Sequence, residues 1–216
     1  MSDSDIQRLS SGHLEDLAYI VLTARADGQA INLYPDLSDQ LRKRLRSRIK
    51  HLSQYDWPSS LRNDPALRRG FTLRQCCRLM TALLMIDAHL PANKAVPLAR
   101  QHERQFFRAI AQRLHAPSDL ASPDDEIAVI TSGEIRDALG FPEKHSLLTP
   151  PVRFIARNDL PHQWSSHLAD PGARLALDVG TAAVALWRWI SGRRLMDDAA
   201  RTQLLAEIQG GPVEPG

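Results

Sequence analysis

The stretch from Arg69 to Leu114 constrains this chain most, because it holds a helix start that side chains alone reveal. Thr72 precedes Gln75 by three residues. At that spacing each side chain satisfies the other residue's free backbone N–H at a helix N-terminus. Leu73, Cys76, Cys77, Met80, Leu83 and Leu84 then recur at helical intervals. Arg74 and Arg78 lie one turn apart on the opposite, outward face. From Leu79 to Ile86 the segment is apolar nearly all round, which predicts a helix buried at that end. Leu90-Pro91 stops it, since the residue before proline is driven out of the helical region. A second helix is expected from near Asn93, with Pro97 early in it, running on through Phe106, Phe107, Ile110 and Leu114.

A chain of 216 residues can bury a sizeable core as one large or two small domains. Its 43% hydrophobic and 24% charged residues are ordinary for a soluble globular protein. The two cysteines, Cys76 and Cys77, are adjacent, so no disulfide framework exists, which suits a reducing cytoplasm. The opening MSDSDIQR does not resemble a signal peptide. No apolar run approaches the roughly 18 to 20 residues that span a bilayer. The expectation is a soluble, cytoplasmic protein with no membrane partner.

Charge is unevenly distributed. Between Arg42 and Arg78 eleven Lys/Arg face two acids, whereas between Pro117 and Thr149 seven acids face two cations. A first helix is expected over 5–26, with Gly12 a point of division, followed by a turn at Asp27-Gly28. A second begins near Asp36 or Ser38, with Leu37, Leu41, Leu45, Ile49 and Leu52 on its apolar face. Arg42, Lys43, Arg44, Arg46, Arg48 and Lys50 lie between them, six cations in nine residues with no interleaved acid. Cations at helical spacing repel one another, so the run points to an anionic partner as well as to a solvated face. The apolar face carries no aromatic insertion residues, which argues against a membrane surface.

The Pro- and Asp-rich stretch 117–125 reads as a linker. It divides a helical, basic module (1–116) from a smaller α/β or α+β module (126–209), with a loose tail at 210–216. The predicted architecture is therefore mainly α. Ile127–Ile130, Val152–Ala156 and Arg174–Val179 read as strands, 132–139 as a short helix, and two helices close the chain, the last from Met196 to Ile208. Residues two apart on a helix face different ways. With Ala183, Leu186, Trp187 and Ile190 inward, Trp189 is expected outward, against the loop 158–172 or against a second copy in a homodimer.

Chemical motifs are few. Residues 175–181 (LALDVGT) resemble the phosphate-binding strand-turn of the actin and hexokinase family, but the thirty-five residues after Thr181 cannot build the rest of such a site. The simpler reading is a strand that enters a helix through glycine. No histidine stands at metal-ligand spacing, and His89, His102 and His115 read as partly exposed polar positions. The two cysteines read as small core residues. No catalytic signature is present, so neither an enzyme, a cofactor nor a metal is expected.

Residues 69–100 resemble the second half of a MerR-family DNA-binding domain. The resemblance rests on Phe71 beside Gly70, the Arg78-Leu79 pair, the His89-Leu90-Pro91 turn and the short helix from Lys94 to Arg100. It implies a winged helix-turn-helix protein of bacterial transcription control, with Arg69, Arg74 and Arg78 reaching the DNA backbone. Together with the basic helix it predicts a regulator that binds double-stranded DNA through Arg42, Lys43, Arg44, Arg46, Arg48, Lys50, Arg68, Arg69, Arg74 and Arg78. The C-terminal module would serve dimerisation, ligand sensing or a protein partner. The competing expectation is an interaction or assembly adaptor whose basic helix docks on an acidic protein.

Overall fold

The computed structural model describes residues 7–24, 31–59, 68–117, 124–130, 152–162 and 175–210. In chain order the described elements are α1 (Leu14–Leu22), α2 (Asp39–Ser53), α3 (Leu73–Asp87), α4 (Ala92–Gln101) and α5 (Glu103–His115). Strands β1 (Glu126–Ile130), β2 (Val152–Ala156) and β3 (Leu175–Leu177) follow, then α6 (Val179–Gly192) and α7 (Asp198–Gly210). The protein is mainly helical, with a small antiparallel sheet contributed by its C-terminal part.

Helix α3 begins where the capping box requires. Gln75 N donates to Thr72 Oγ1 at 3.2 Å, and Thr72 N donates to Gln75 Oε1 at 3.0 Å. The start is fixed a second time by Leu9 and Phe71, which exchange backbone hydrogen bonds of 2.7 and 2.8 Å. Gly70 makes that approach feasible: its φ is 109°, and a Cβ there would sit 2.6 Å from the Leu9 carbonyl oxygen. Leu9, counted above as helical, therefore spends its apolar side chain and backbone on this bridge. The first α-helix starts only at Leu14, after a 3-10 turn at Ser11–His13.

Helix α3 packs against α1, α2, α4, α6 and α7. Neighbours on all sides explain why Leu79, Met80, Ala82, Leu83 and Met85 are completely covered. His89 adopts a left-handed φ of 70°, and Leu90 N bonds to Met85 O, which ends the helix before Pro91. The expected single helix through Leu114 is instead two, separated at His102. The break redirects the chain so that Glu103, Phe106 and Phe107 all turn into the interior.

In the sheet, β1 lies between β2 and β3 and is antiparallel to both, with Ile127 opposite Ile155 and Ala128 opposite Leu177. Phe154 of β2 meets Phe106 of α5 edge-on at 5.1 Å. Helix α6 ties sheet and helices together, because it packs on α1, α3, α5 and β1. Its close approach to α5 needs Gly180, where a Cβ would lie 2.5 Å from Arg113 Cγ. One hydrophobic core runs from Leu9 to Leu204 and draws on both parts of the chain. The stretch 117–125 marks a change from helices to strands, and its described ends are tied to the helices: Arg188 Nε donates to Pro117 O, and Asp125 pairs with Arg113. The expected helix at 132–139 and the tail from 211 lie outside the described residues.

Trp189 is buried, against expectation. Helix α6 is covered on both sides, so Trp187 turns toward Arg201 on α7 while Trp189 meets His13 and Arg193. Both indoles enter the core of a single chain, at 4% and 0% exposure, and Trp189 no longer argues for a second copy. We expect Trp189→Ala to lower stability by about 3 to 5 kcal/mol in urea denaturation, with the oligomeric state unchanged in light scattering. A cost below about 1 kcal/mol would mean that this side chain is not core.

Candidate nucleic-acid interface

Helix α2 starts at Ser38, whose Oγ accepts from Leu41 N at 3.3 Å. Leu45 and Leu52 are buried, Leu41 and Ile49 are half-buried, and the cations project from the other sides. Their mutual repulsion is relieved by acids on other helices. Arg42 donates to Asp16 at 3.1 Å, Arg46 to Glu15 at 2.6 Å, and Arg48 to Asp87 at 3.0 Å. Glu15 and Asp16 sit in the first turn of α1 with side chains only 8% and 12% exposed, and Asp16 also accepts from Arg193 at 3.1 Å. Lys43, Arg44 and Lys50 are exposed and make no ion pair with the described residues. Lys43 and Lys50 point about 20° apart, roughly 10 Å along the axis, on the side opposite Leu45 and Leu52. Arg44 lies on a flank, at the rim of a cleft of about 500 Å³ lined by Tyr19, Leu22, Leu41, Leu45 and Arg48.

The other four candidate cations lie elsewhere. Arg74 and Arg78 both donate to Glu103 Oε1 at 2.9 Å. Arg74 also stacks on Phe107 at 5.2 Å, and Arg78 on Trp57 at 5.9 Å. With Arg78 only 14% exposed, these two guanidiniums hold α3 to α5. Arg68 and Arg69 are exposed at the N-terminal end of α3. Of the α2 cations, Arg48 pairs with Asp87 at the other end of α3, some 20 Å away along the helix. Arg74 and Arg78 are thus turned toward Glu103, apart from the outward cations of α2 and from Arg68 and Arg69. Residues 73–101 form the two helices α3 and α4, with Arg69 exposed just before them.

Sequence reasoning missed Glu15, Asp16 and Glu103, the acids that organise these charges. A signal existed in Glu15 and Asp16, which interrupt an apolar series between Leu14 and Leu17. Nothing local identified their partners, 31 and 26 residues away.

The remaining motifs have structural roles. Asp178 caps α6 by accepting from Thr181 N at 2.9 Å and Thr181 Oγ1 at 2.7 Å, and it pairs with Arg157. With Gly180 pressed on α5, the LALDVGT turn is filled by its own side chains. His102, expected to be partly exposed, is buried at a break that sequence periodicity does not register, and burial pushes its pKa below the ordinary value. Among the described residues no three His, Cys, Asp or Glu side chains converge as a metal site would need, and no helix is long and apolar enough to cross a membrane. No protein-family model, curated protein or solved structure matches this chain.

Cys76 and Cys77 are buried, and burial raises both thiol pKa values, that of Cys77 to about 12 although Arg74 pulls it down. The folded state thus holds protons that the unfolded thiols release near 9.0. The stabilisation from neutral thiols is complete below that pH and is lost as pH rises toward the folded value. We expect native protein at pH 8 to resist iodoacetamide at both positions, with labelling only after denaturation. Rapid labelling of the native protein would contradict burial.

Proposed function

We propose that the protein binds duplex DNA through the outward side of α2 and acts as a DNA-binding regulator. What supports this reading is the placement of the acids. Glu15, Asp16 and Asp87 neutralise cations on the flanks of α2, while Lys43 and Lys50 on its crest and Arg44 beside them keep their charge for an external anion. A phosphate backbone suits such a row, since each neutralised phosphate releases counterions and adds affinity without base reading. Arg68 and Arg69 would reach a separate stretch of backbone, as the MerR resemblance implies for Arg69. Three contacts on α2 make a modest footprint, which a homodimer on two half-sites would double.

The second reading is an adaptor for an acidic protein. The cleft beside Arg44 favours it, because its apolar lining of Leu41, Leu45 and Tyr19 suits an amphipathic helix better than a phosphate.

Fluorescence anisotropy with a labelled duplex across a salt series tests the proposal. Replacing Lys43, Arg44 and Lys50 by Ala should flatten the slope of log K against log salt by roughly two to three. Thermal stability should hold, because these side chains support no other element. Unchanged affinity and slope would remove α2 from DNA contact and leave the adaptor reading.

A further inference from the structure

Tyr34 is 70% exposed, the one large hydrophobic side chain so exposed among the described residues. Its position is nevertheless fixed. Tyr34 N donates to Asn32 Oδ1 at 3.0 Å, which closes a tight turn. The neighbouring Leu33 packs on the end of α6 so closely that a Cβ on Gly192 would lie 2.8 Å from it. The tyrosine ring rests on the Arg193 guanidinium at 5.0 Å. Arg193 is in turn held by Asp16 and by the Trp189 ring at 5.6 Å. An aromatic face is thus backed by Arg193 and turned toward solvent.

The same contacts join Tyr34 to the basic helix. Asp16 binds Arg193 through one oxygen and Arg42 through the other. From Arg42 the cations continue along α2 at four-residue steps through Arg46 to Lys50, side by side on one stripe. Arg46 uses Nε on Glu15 while its side chain stays 68% exposed, so other guanidinium N–H groups still face outward. With Lys43 on the crest, five cations against two carboxylates form a track that ends at the tyrosine ring.

We infer that Tyr34 stacks an unpaired nucleobase at the end of the α2 phosphate track, so that the preferred ligand is DNA with a single-stranded segment beside a duplex. The inference rests on the DNA-binding reading above and specifies the ligand of that site. A ring at the edge of a basic track reaches a base face only where the base has left its stack. Stacking of that kind tolerates any base, because each has a π-face. Cation–π contact from Arg193 beneath the ring orients the platform without covering its outer side.

The test titrates full-length protein against a labelled blunt DNA hairpin and against the same hairpin with a short single-stranded overhang. The overhang should tighten binding. Tyr34→Ala should remove that gain, a loss of roughly 5- to 150-fold, and leave the blunt hairpin unchanged. Tyr34→Phe should keep the gain. Equal wild-type affinity for both hairpins would overturn the inference, and so would a Tyr34→Ala loss shared by both. If the combined Lys43, Arg44 and Lys50 replacement still weakens both hairpins in those cases, the phosphate reading survives. If the wild-type protein binds neither hairpin, both fail.

Discussion

Enclosure of α3 on every side is the constraint from which the rest of the fold follows. A helix apolar nearly all round needs neighbours all round, and α1, α2, α4, α6 and α7 supply them. Its exact start matters, because sliding such a helix would misplace every packed side chain at once. Two independent devices fix that start, the Thr72–Gln75 box and the Leu9–Phe71 bridge across Gly70. The two arginines on its less buried half would oppose enclosure if left uncompensated. Glu103 accepts from both, and the rings of Phe107 and Trp57 each lie against one of the guanidiniums. Removing that carboxylate would leave Arg78, 14% exposed, without its ion-pair partner, whereas Arg74 keeps Glu207 at 3.5 Å.

The distribution of charge follows from this arrangement. Cations near the core are matched by acids brought from distant parts of the chain: Glu103 for α3, Glu15 and Asp16 for α2, Asp125 for Arg113. What stays unmatched is therefore informative. Lys43, Arg44 and Lys50 make no ion pair with the described residues, so their charge is left to act on the surroundings. Of the cations in excess between Arg42 and Arg78, these three are exposed on α2, and Arg68 and Arg69 lie exposed at the start of α3. Tyr34 belongs to the same surface only through Asp16, which no sequence pattern connects to it.

The elements legible in the sequence were those specified by neighbours along the chain. The cap at Thr72, a start of α2 near Ser38, its leucine series and the three strands are all written within a few residues. The expected glycine entry to α6 proves instead to be a cap by Asp178, with Gly180 already helical. The misread elements depend on contacts between distant residues. Leu9 fits a helical series but is taken by Phe71. The break at His102 interrupts a continuous apolar period, and Glu103 just after it meets two guanidiniums from α3. Trp189 appears to face outward only if α6 has a single covered side, and it has two. Of the candidate site, the basic helix was legible and its ion pairs were not. Repulsion along one helix says nothing about acids 26 or 31 residues earlier.

The central claim is that the crest of α2 meets DNA, and chemical footprinting of lysines tests it most directly. The protein would be acetylated at limiting reagent with and without duplex DNA, and each lysine quantified by mass spectrometry. Lys94 on α4 serves as the internal reference. DNA is expected to protect Lys43 and Lys50 and to leave Lys94 unchanged. Equal labelling of Lys43 and Lys50 with and without bound DNA, or protection of Lys94 in their place, would contradict it.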